Sequence, residues 1–277
     1  MNLTTETRYI SDAAGGQLRL LVMRPQRQTG LLPGILWLHG GGYSKGWAEL
    51  ARFSAGRQAA ETCGAVLLAP DYRLSGSAPY PAALLDCYAA LLYLQRNAEA
   101  LGVREDQLMV GGESAGGGLT AALCMLAHDR GKVRIAFQMP LYPMLDCRDT
   151  ATSAHNHTDP TWGTWRNHAA WKQYLGSLYG TQEVPAYASP SRREDYRGLP
   201  PCYTFVCRHE PFYEETVTYV AKLREAGVAA KADVFPGNFH AFDMLRVTPR
   251  AKAARAAFLE QFRYACANYT APQPFWH

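Results

Sequence analysis

Ser114 is the residue of this chain whose neighbours most narrowly specify a chemistry. It sits in Gly112-Glu113-Ser114-Ala115-Gly116, after the apolar run Leu108-Met109-Val110 and before a helical run from Leu119 to Ala127. A strand that turns this sharply into a helix has no room for side chains at the flanking positions. Glycines there leave the serine exposed at the strand end. A serine so placed can attack an acyl carbon if the chain also supplies oxyanion donors, a base and an acid that orients the base. His39-Gly40-Gly41-Gly42 supplies the first, because glycines let backbone N–H groups face a substrate. Gly41 and Gly42 are the expected donors, with Ala115, the residue after the serine, as the third. His240, in Phe235-Pro236-Gly237-Asn238-Phe239-His240, is the expected base. Glu210, in Cys207-Arg208-His209-Glu210-Pro211, is the leading acid, and Glu214 is the second candidate. The ordinary alternative for Glu214 and Glu215 is a solvated carboxylate at a helix start, where the dipole favours it.

The remaining histidines have plainer readings. His39 is expected to hold the glycine loop by hydrogen bonds. His128 suits a helix C-terminus, and His155, His157 and His168 lie in a polar insertion.

These residues need a scaffold, and the pattern of the chain supplies one. Strands are predicted over 17–23, 34–38, 65–69, 108–111, 134–139, 203–206 and 231–235. Helices are predicted over 81–97, 115–128, 212–226 and 249–268. Continuous apolar strands separated by helices predict an α/β fold with a mostly parallel sheet covered on both faces. Ligand sites in such sheets lie beyond the carboxyl ends of the strands, where every candidate above falls. Residues 146–199 break the alternation and are rich in tryptophan and tyrosine. They predict a small helical cap inserted into a single domain spanning 1–277, since long connections in compact domains are usually functional. Trp162, Trp165 and Tyr179 would wall a small apolar pocket there, with Tyr43 lining it from the glycine loop.

Bulk properties exclude several classes. The chain has 277 residues, 48% of them hydrophobic, and a net charge of +4 without a basic run. Neither a nucleic acid nor a membrane is an expected partner. The polar N-terminus lacks a signal-peptide core, and the seven cysteines are dispersed without a C-x-x-C pair. A reduced cytoplasmic protein without zinc is expected. Phe275 and Trp276 suggest a contact surface or a tail folded back on the domain.

From about Leu36 to Phe242 the chain resembles the bacterial hormone-sensitive-lipase-like esterases of the α/β-hydrolase fold. The resemblance rests on His39-Gly40-Gly41-Gly42, on Asp71-Tyr72-Arg73-Leu74 before Pro79-Tyr80-Pro81, on Gly112-Glu113-Ser114-Ala115-Gly116-Gly117, and on Pro236-Gly237-Asn238-Phe239-His240. It implies that Ser114 is the nucleophile, His240 the base, and Gly41, Gly42 and Ala115 the oxyanion donors. It also implies that Asp71-Tyr72-Arg73 braces the glycine loop. Two departures stand out. The family usually places Asp-Pro where this chain has Glu210-Pro211, so the acid is one methylene longer. Family members often carry an N-terminal helical cap, whereas the first thirty or so residues here read as strands. The pocket is then more open, or is completed by a partner subunit in a homodimer. The expected activity is hydrolysis of small-molecule esters with short acyl groups, without metal or cofactor. An arylformamidase or amidase with the same triad, and a non-catalytic small-molecule binder, are the alternatives.

Overall fold

The computed structural model describes residues 2–157 and 159–274, and the apolar runs of the sequence form its strands. In chain order these are β1 (Leu3–Ser11), β2 (Gln17–Pro25), β3 (Leu32–Leu38), β4 (Val66–Pro70), β5 (Val103–Glu113), β6 (Phe137–Leu141), β7 (Cys202–Cys207) and β8 (Ala230–Phe235). Across the sheet they run β1-β2-β4-β3-β5-β6-β7-β8. β2 pairs antiparallel with β1 and with β4, and the remaining pairs are parallel. The seven α-helices among the described residues are α1 (Ala55–Ala59), α2 (Ala82–Arg96), α3 (Ala98–Leu101), α4 (Ala115–Arg130), α5 (Thr164–Leu175), α6 (Tyr213–Glu225) and α7 (Pro249–Asn268).

Successive residues of the central strands enter opposite cores, as the period of two requires. Leu36, Leu38, Val66, Leu68, Leu108 and Val110 pack with α2 and α4 on one face. Ile35, Trp37, Leu67, Ala69 and Met109 pack with α1 and α7 on the other. Both faces are therefore dry, which explains why these strands read as unbroken apolar runs.

Two local readings shift. The strand expected over 134–139 lies instead at Phe137–Leu141. Arg134 is held at the surface, its backbone N–H donating to Gln273 Oε1 at 2.9 Å. α1 and the π-helical turn after it, Ala60–Gly64, have no counterpart in the periodicity. Their buried residues are alanine and glycine, so no large apolar stripe announces them. Small residues are used there because α1 packs directly against the Trp37 ring, which a Cβ on Gly56 would overlap.

The Asp71-Tyr72-Arg73 segment after β4 braces the glycine loop. Arg19 bonds both Asp71 and Glu49, and Asp71 also accepts the Ala48 backbone N–H. Tyr72 stacks on the His39 ring at 4.1 Å and its hydroxyl donates to the His39 carbonyl at 2.7 Å. Arg73 grips buried Asp86 of α2 through Nε at 2.9 Å and Nη2 at 2.7 Å. Charges removed from water this far are tolerable only when paired, so the cluster specifies the loop's position as well as its stability.

The insertion between β6 and β7 is not a body apart. Trp171, Tyr174 and Leu175 of α5 join the same core as the sheet. Tyr174 stacks on Tyr43 at 3.9 Å. No helix among the described residues is long and apolar enough to cross a membrane.

Candidate active site

The turn between β5 and α4 forces Ser114 into an unusual backbone conformation, φ 56° and ψ −118°. For a residue with a Cβ this costs about 1–3 kcal/mol and persists only when surrounding structure fixes it. Three hydrogen bonds do so here. The Ser114 N–H donates to Leu141 O at 3.0 Å, and its carbonyl accepts from Gly118 at 2.9 Å and Met144 at 3.0 Å. Space enforces the glycines: a Cβ on Gly116 would collide with the Leu38 and His39 carbonyls, and one on Gly112 with Leu38 and Gly116.

His240 lies in the loop after β8, with Nε2 at 2.8 Å from Ser114 Oγ. Its other ring nitrogen, Nδ1, meets Glu210 Oε2 in a short hydrogen bond. Ser114 is 7% exposed and His240 4% exposed, so these bonds lie largely out of water. The ring is clamped edge-on by Phe212 at 4.9 Å and Tyr142 at 5.1 Å. Glu210 is fully buried, and burial pushes its carboxyl upward, opposed by His240 and reinforced by Asp159. The longer glutamate side chain thus does reach the imidazole. Glu214 does not join this group: its Oε2 accepts the Ala151 N–H at 2.6 Å.

The glycine loop follows β3 and passes beside the serine. Gly41 and Gly42 have φ of 121° and 59°, values that favour glycine. The Gly41 carbonyl turns inward to accept Ser44 and Lys45 N–H at 3.2 and 3.0 Å. The N–H groups of Gly41, Gly42 and Ala115 have no protein acceptor among the described residues. A serine–imidazole–carboxylate line beside free backbone donors is an arrangement that can perform acyl transfer.

A family model for the alpha/beta hydrolase fold matches residues 35–244. The chain belongs to this family, among its hormone-sensitive-lipase-like esterases. It is 29% identical to carboxylesterase NlhH of Mycobacterium tuberculosis over 84% of this chain and 74% of NlhH. It is 30% identical to esterase LipI of the same organism, over 71% of this chain and 61% of LipI. Among solved structures, a bacterial heroin esterase superposes with a TM-score of 0.92 at 33% identity, covering 95% of this chain and 84% of that one.

In this esterase-family chain, the aromatic residues of the insertion divide into separate roles. Trp162 lies over the glycine loop, so close that a Cβ on Gly42 would strike its ring, and its centroid is 6.3 Å from that of His240. Trp165 is 79% exposed and, with Trp162 and Gly41, lines a groove beside the glycine loop. Tyr43 does not line a pocket as expected. It is buried, and its hydroxyl donates to Met144 O at 2.9 Å, so it braces the segment after β6 whose Met144 N–H holds the Ser114 carbonyl. Tyr179 is also outside the groove and packs against the core. Phe275 and Trp276 lie outside the described residues.

Three carboxylates near the site escape sequence reasoning. Glu113, beside the nucleophile, accepts the Trp37 indole N–H at 2.9 Å while its Oε1 is buried without a partner. Burial, then the Asp243 carboxylate, raises its pKa to about 8. Although part of Glu113 reaches solvent, the carboxyl itself sits inside, where burial favours its neutral form. Glu215, expected as a solvated carboxylate, is instead buried and accepts the N–H groups of Leu145 and Asp146 where the insertion leaves β6.

Asp159 is the third. Its Oδ2 accepts the backbone N–H of His240 at 2.7 Å. Its Oδ1 accepts Thr161 N at 2.7 Å, Thr161 Oγ1 at 2.6 Å and Trp162 N at 3.0 Å. One buried carboxylate therefore fixes both the histidine loop and the Trp162 wall. The Asp159-Pro160-Thr161 turn chemistry was the available signal, since aspartate often bonds the backbone two residues on. Asp159→Ala leaves those donors unpaired, each loss being worth roughly 1–3 kcal/mol. The expected result is a fall in kcat of about 10- to 100-fold with a smaller change in KM. Steady-state kinetics beside a thermal melt measure it. A kcat equal to wild type would remove Asp159 from histidine positioning.

Proposed function

We propose that the protein is a serine carboxylesterase for esters of short acyl groups. The observation that carries this reading is the 2.8 Å contact between Ser114 Oγ and His240 Nε2, backed by buried Glu210. Ser114 attacks the ester carbonyl as His240 takes its proton. Glu210 orients the ring and balances its charge. Gly41, Gly42 and Ala115 donate to the oxyanion. His240 then protonates the departing alkoxide, and water repeats the cycle on the acyl-enzyme. The names of the similar proteins, carboxylesterase and heroin esterase among them, support ester hydrolysis.

The short acyl group is inferred from closure. The serine is nearly covered, and Trp162, 6.3 Å from the His240 ring, walls the groove beside it. The same reading places the enzyme in the cytoplasm, where its seven cysteines remain free thiols.

The test is a series of p-nitrophenyl esters of rising chain length. kcat/KM is expected to peak between acetyl and butyryl and to fall at least about tenfold by octanoyl. A rate that climbs with chain length contradicts a short acyl site. Faster turnover of a formyl-anilide than of p-nitrophenyl acetate would move the activity to formamide hydrolysis.

A further inference from the structure

Beside the glycine loop lies a groove of about 560 Å³, a size that suits a small-molecule group. Gly41 forms its inner end, Trp162 and Trp165 its aromatic wall, and Lys45 and Arg166 its cations. No acidic residue among the described residues lines it. α5, which forms one whole side, reads Thr-Trp-Arg-Asn-His-Ala-Ala-Trp-Lys-Gln-Tyr-Leu and carries none either. Lys45 has no ion-pair partner among the described residues. Arg166 is engaged through one nitrogen with the Thr161 carbonyl at 2.6 Å, which leaves its charge uncompensated. An exposed tryptophan at such a mouth is a surface for a flat ligand.

We propose that the preferred substrates are aryl esters whose phenolic leaving group carries an anionic substituent, such as a carboxylate. This deepens the esterase reading and rests on it. Gly41, the oxyanion donor of the proposed mechanism, lines the groove, so an ester carbonyl held there sends one of its two substituents into it. The short acyl group of the proposed reaction stays beside the nearly buried Ser114, which leaves the groove to the alcohol portion. There the aryl ring lies against Trp162 and Trp165, and its anion faces Lys45 and Arg166. The bond between the acyl carbon and the phenolic oxygen breaks as the Ser114 Oγ–acyl bond forms. The proton taken from Ser114 by His240 passes to the phenolate oxygen. Water then releases the carboxylic acid and restores the serine. Because both cations are exposed, their attraction is screened by salt and steers as well as binds.

The test compares p-acetoxybenzoate with its neutral isostere p-acetoxybenzamide, with p-nitrophenyl acetate assayed in parallel. Wild type is expected to favour the benzoate by about tenfold in kcat/KM at low ionic strength, and less at high ionic strength. In the double variant Lys45→Gln, Arg166→Gln the benzoate-to-benzamide ratio should fall about tenfold. Comparing that ratio between the two proteins cancels the difference in leaving-group reactivity. Both positions are exposed, and a thermal melt verifies the fold. A ratio that is the same in the two proteins overturns the proposal, as does a wild-type preference for the amide. Turnover of p-nitrophenyl acetate with neither aryl substrate accepted overturns it too. Failure to hydrolyse any of the three esters overturns the esterase reading beneath it.

Discussion

Ser114→Ala is expected to reduce p-nitrophenyl acetate turnover by at least about 10⁴-fold, the scale seen when a triad nucleophile is removed. Alanine keeps the Cβ and deletes only Oγ, so the backbone bonds to Leu141, Gly118 and Met144 survive. The fold and its melting temperature should change little. The strained φ of 56° stays strained, because alanine still carries a Cβ. What disappears is the atom that forms the acyl-enzyme. The residue of activity left would come from the oxyanion donors and from binding alone. Mass spectrometry after mixing with a slow acylating ester supplies the second readout, a covalent adduct on wild type and none on the variant. If the variant hydrolyses the ester at the wild-type rate, Ser114 is not the nucleophile.

Glu210→Gln is expected to lower kcat by about 10²- to 10⁴-fold. Glutamine fills the same buried space, so packing against the histidine loop is preserved. Two things change. A neutral amide cannot balance the imidazolium that forms when His240 takes the serine proton. Its NH₂ can also donate to Nδ1 and select the tautomer whose Nε2 no longer accepts from Ser114. The lower end of the range applies if the amide turns its oxygen to the ring, which the unpartnered Glu210 Oε1 leaves room for. Glu214→Gln is the matched comparison. That carboxylate holds the Ala151 N–H, and its loss should leave kcat within about threefold of wild type. A variant at Glu214 as damaged as the one at Glu210 would contradict the acid assignment.

Trp162 links these expectations to specificity. It touches the glycine loop and stands beside the His240 ring, while Asp159 fixes the Trp162 and His240 backbones through its two oxygens. The insertion therefore takes part in holding the chemical groups. A cap that merely covered the strand ends could be loosened without cost to kcat, which is what the Asp159→Ala kinetics examine.

The sequence by itself determined the fold class, a mostly parallel sheet, and the positions of Ser114, His240 and the glycine loop. These were legible because each rests on short-range constraints. A strand buried on both faces must be apolar throughout. A turn as tight as the one at Ser114 must have glycines beside it. A histidine following the last strand must emerge at the sheet's carboxyl edge. Only the tertiary structure decided between Glu210 and Glu214, which share one loop and one chemistry and differ in which way the chain turns. It also moved Tyr43 from the pocket to the core, where its hydroxyl meets a carbonyl 101 residues away. Asp159 reaches His240 across 81 residues, and Glu215 reaches Leu145 across 70. Such pairings leave no periodic trace, because a buried carboxylate takes its partners from whatever backbone the fold brings to it. In a sequence it looks the same as one facing water.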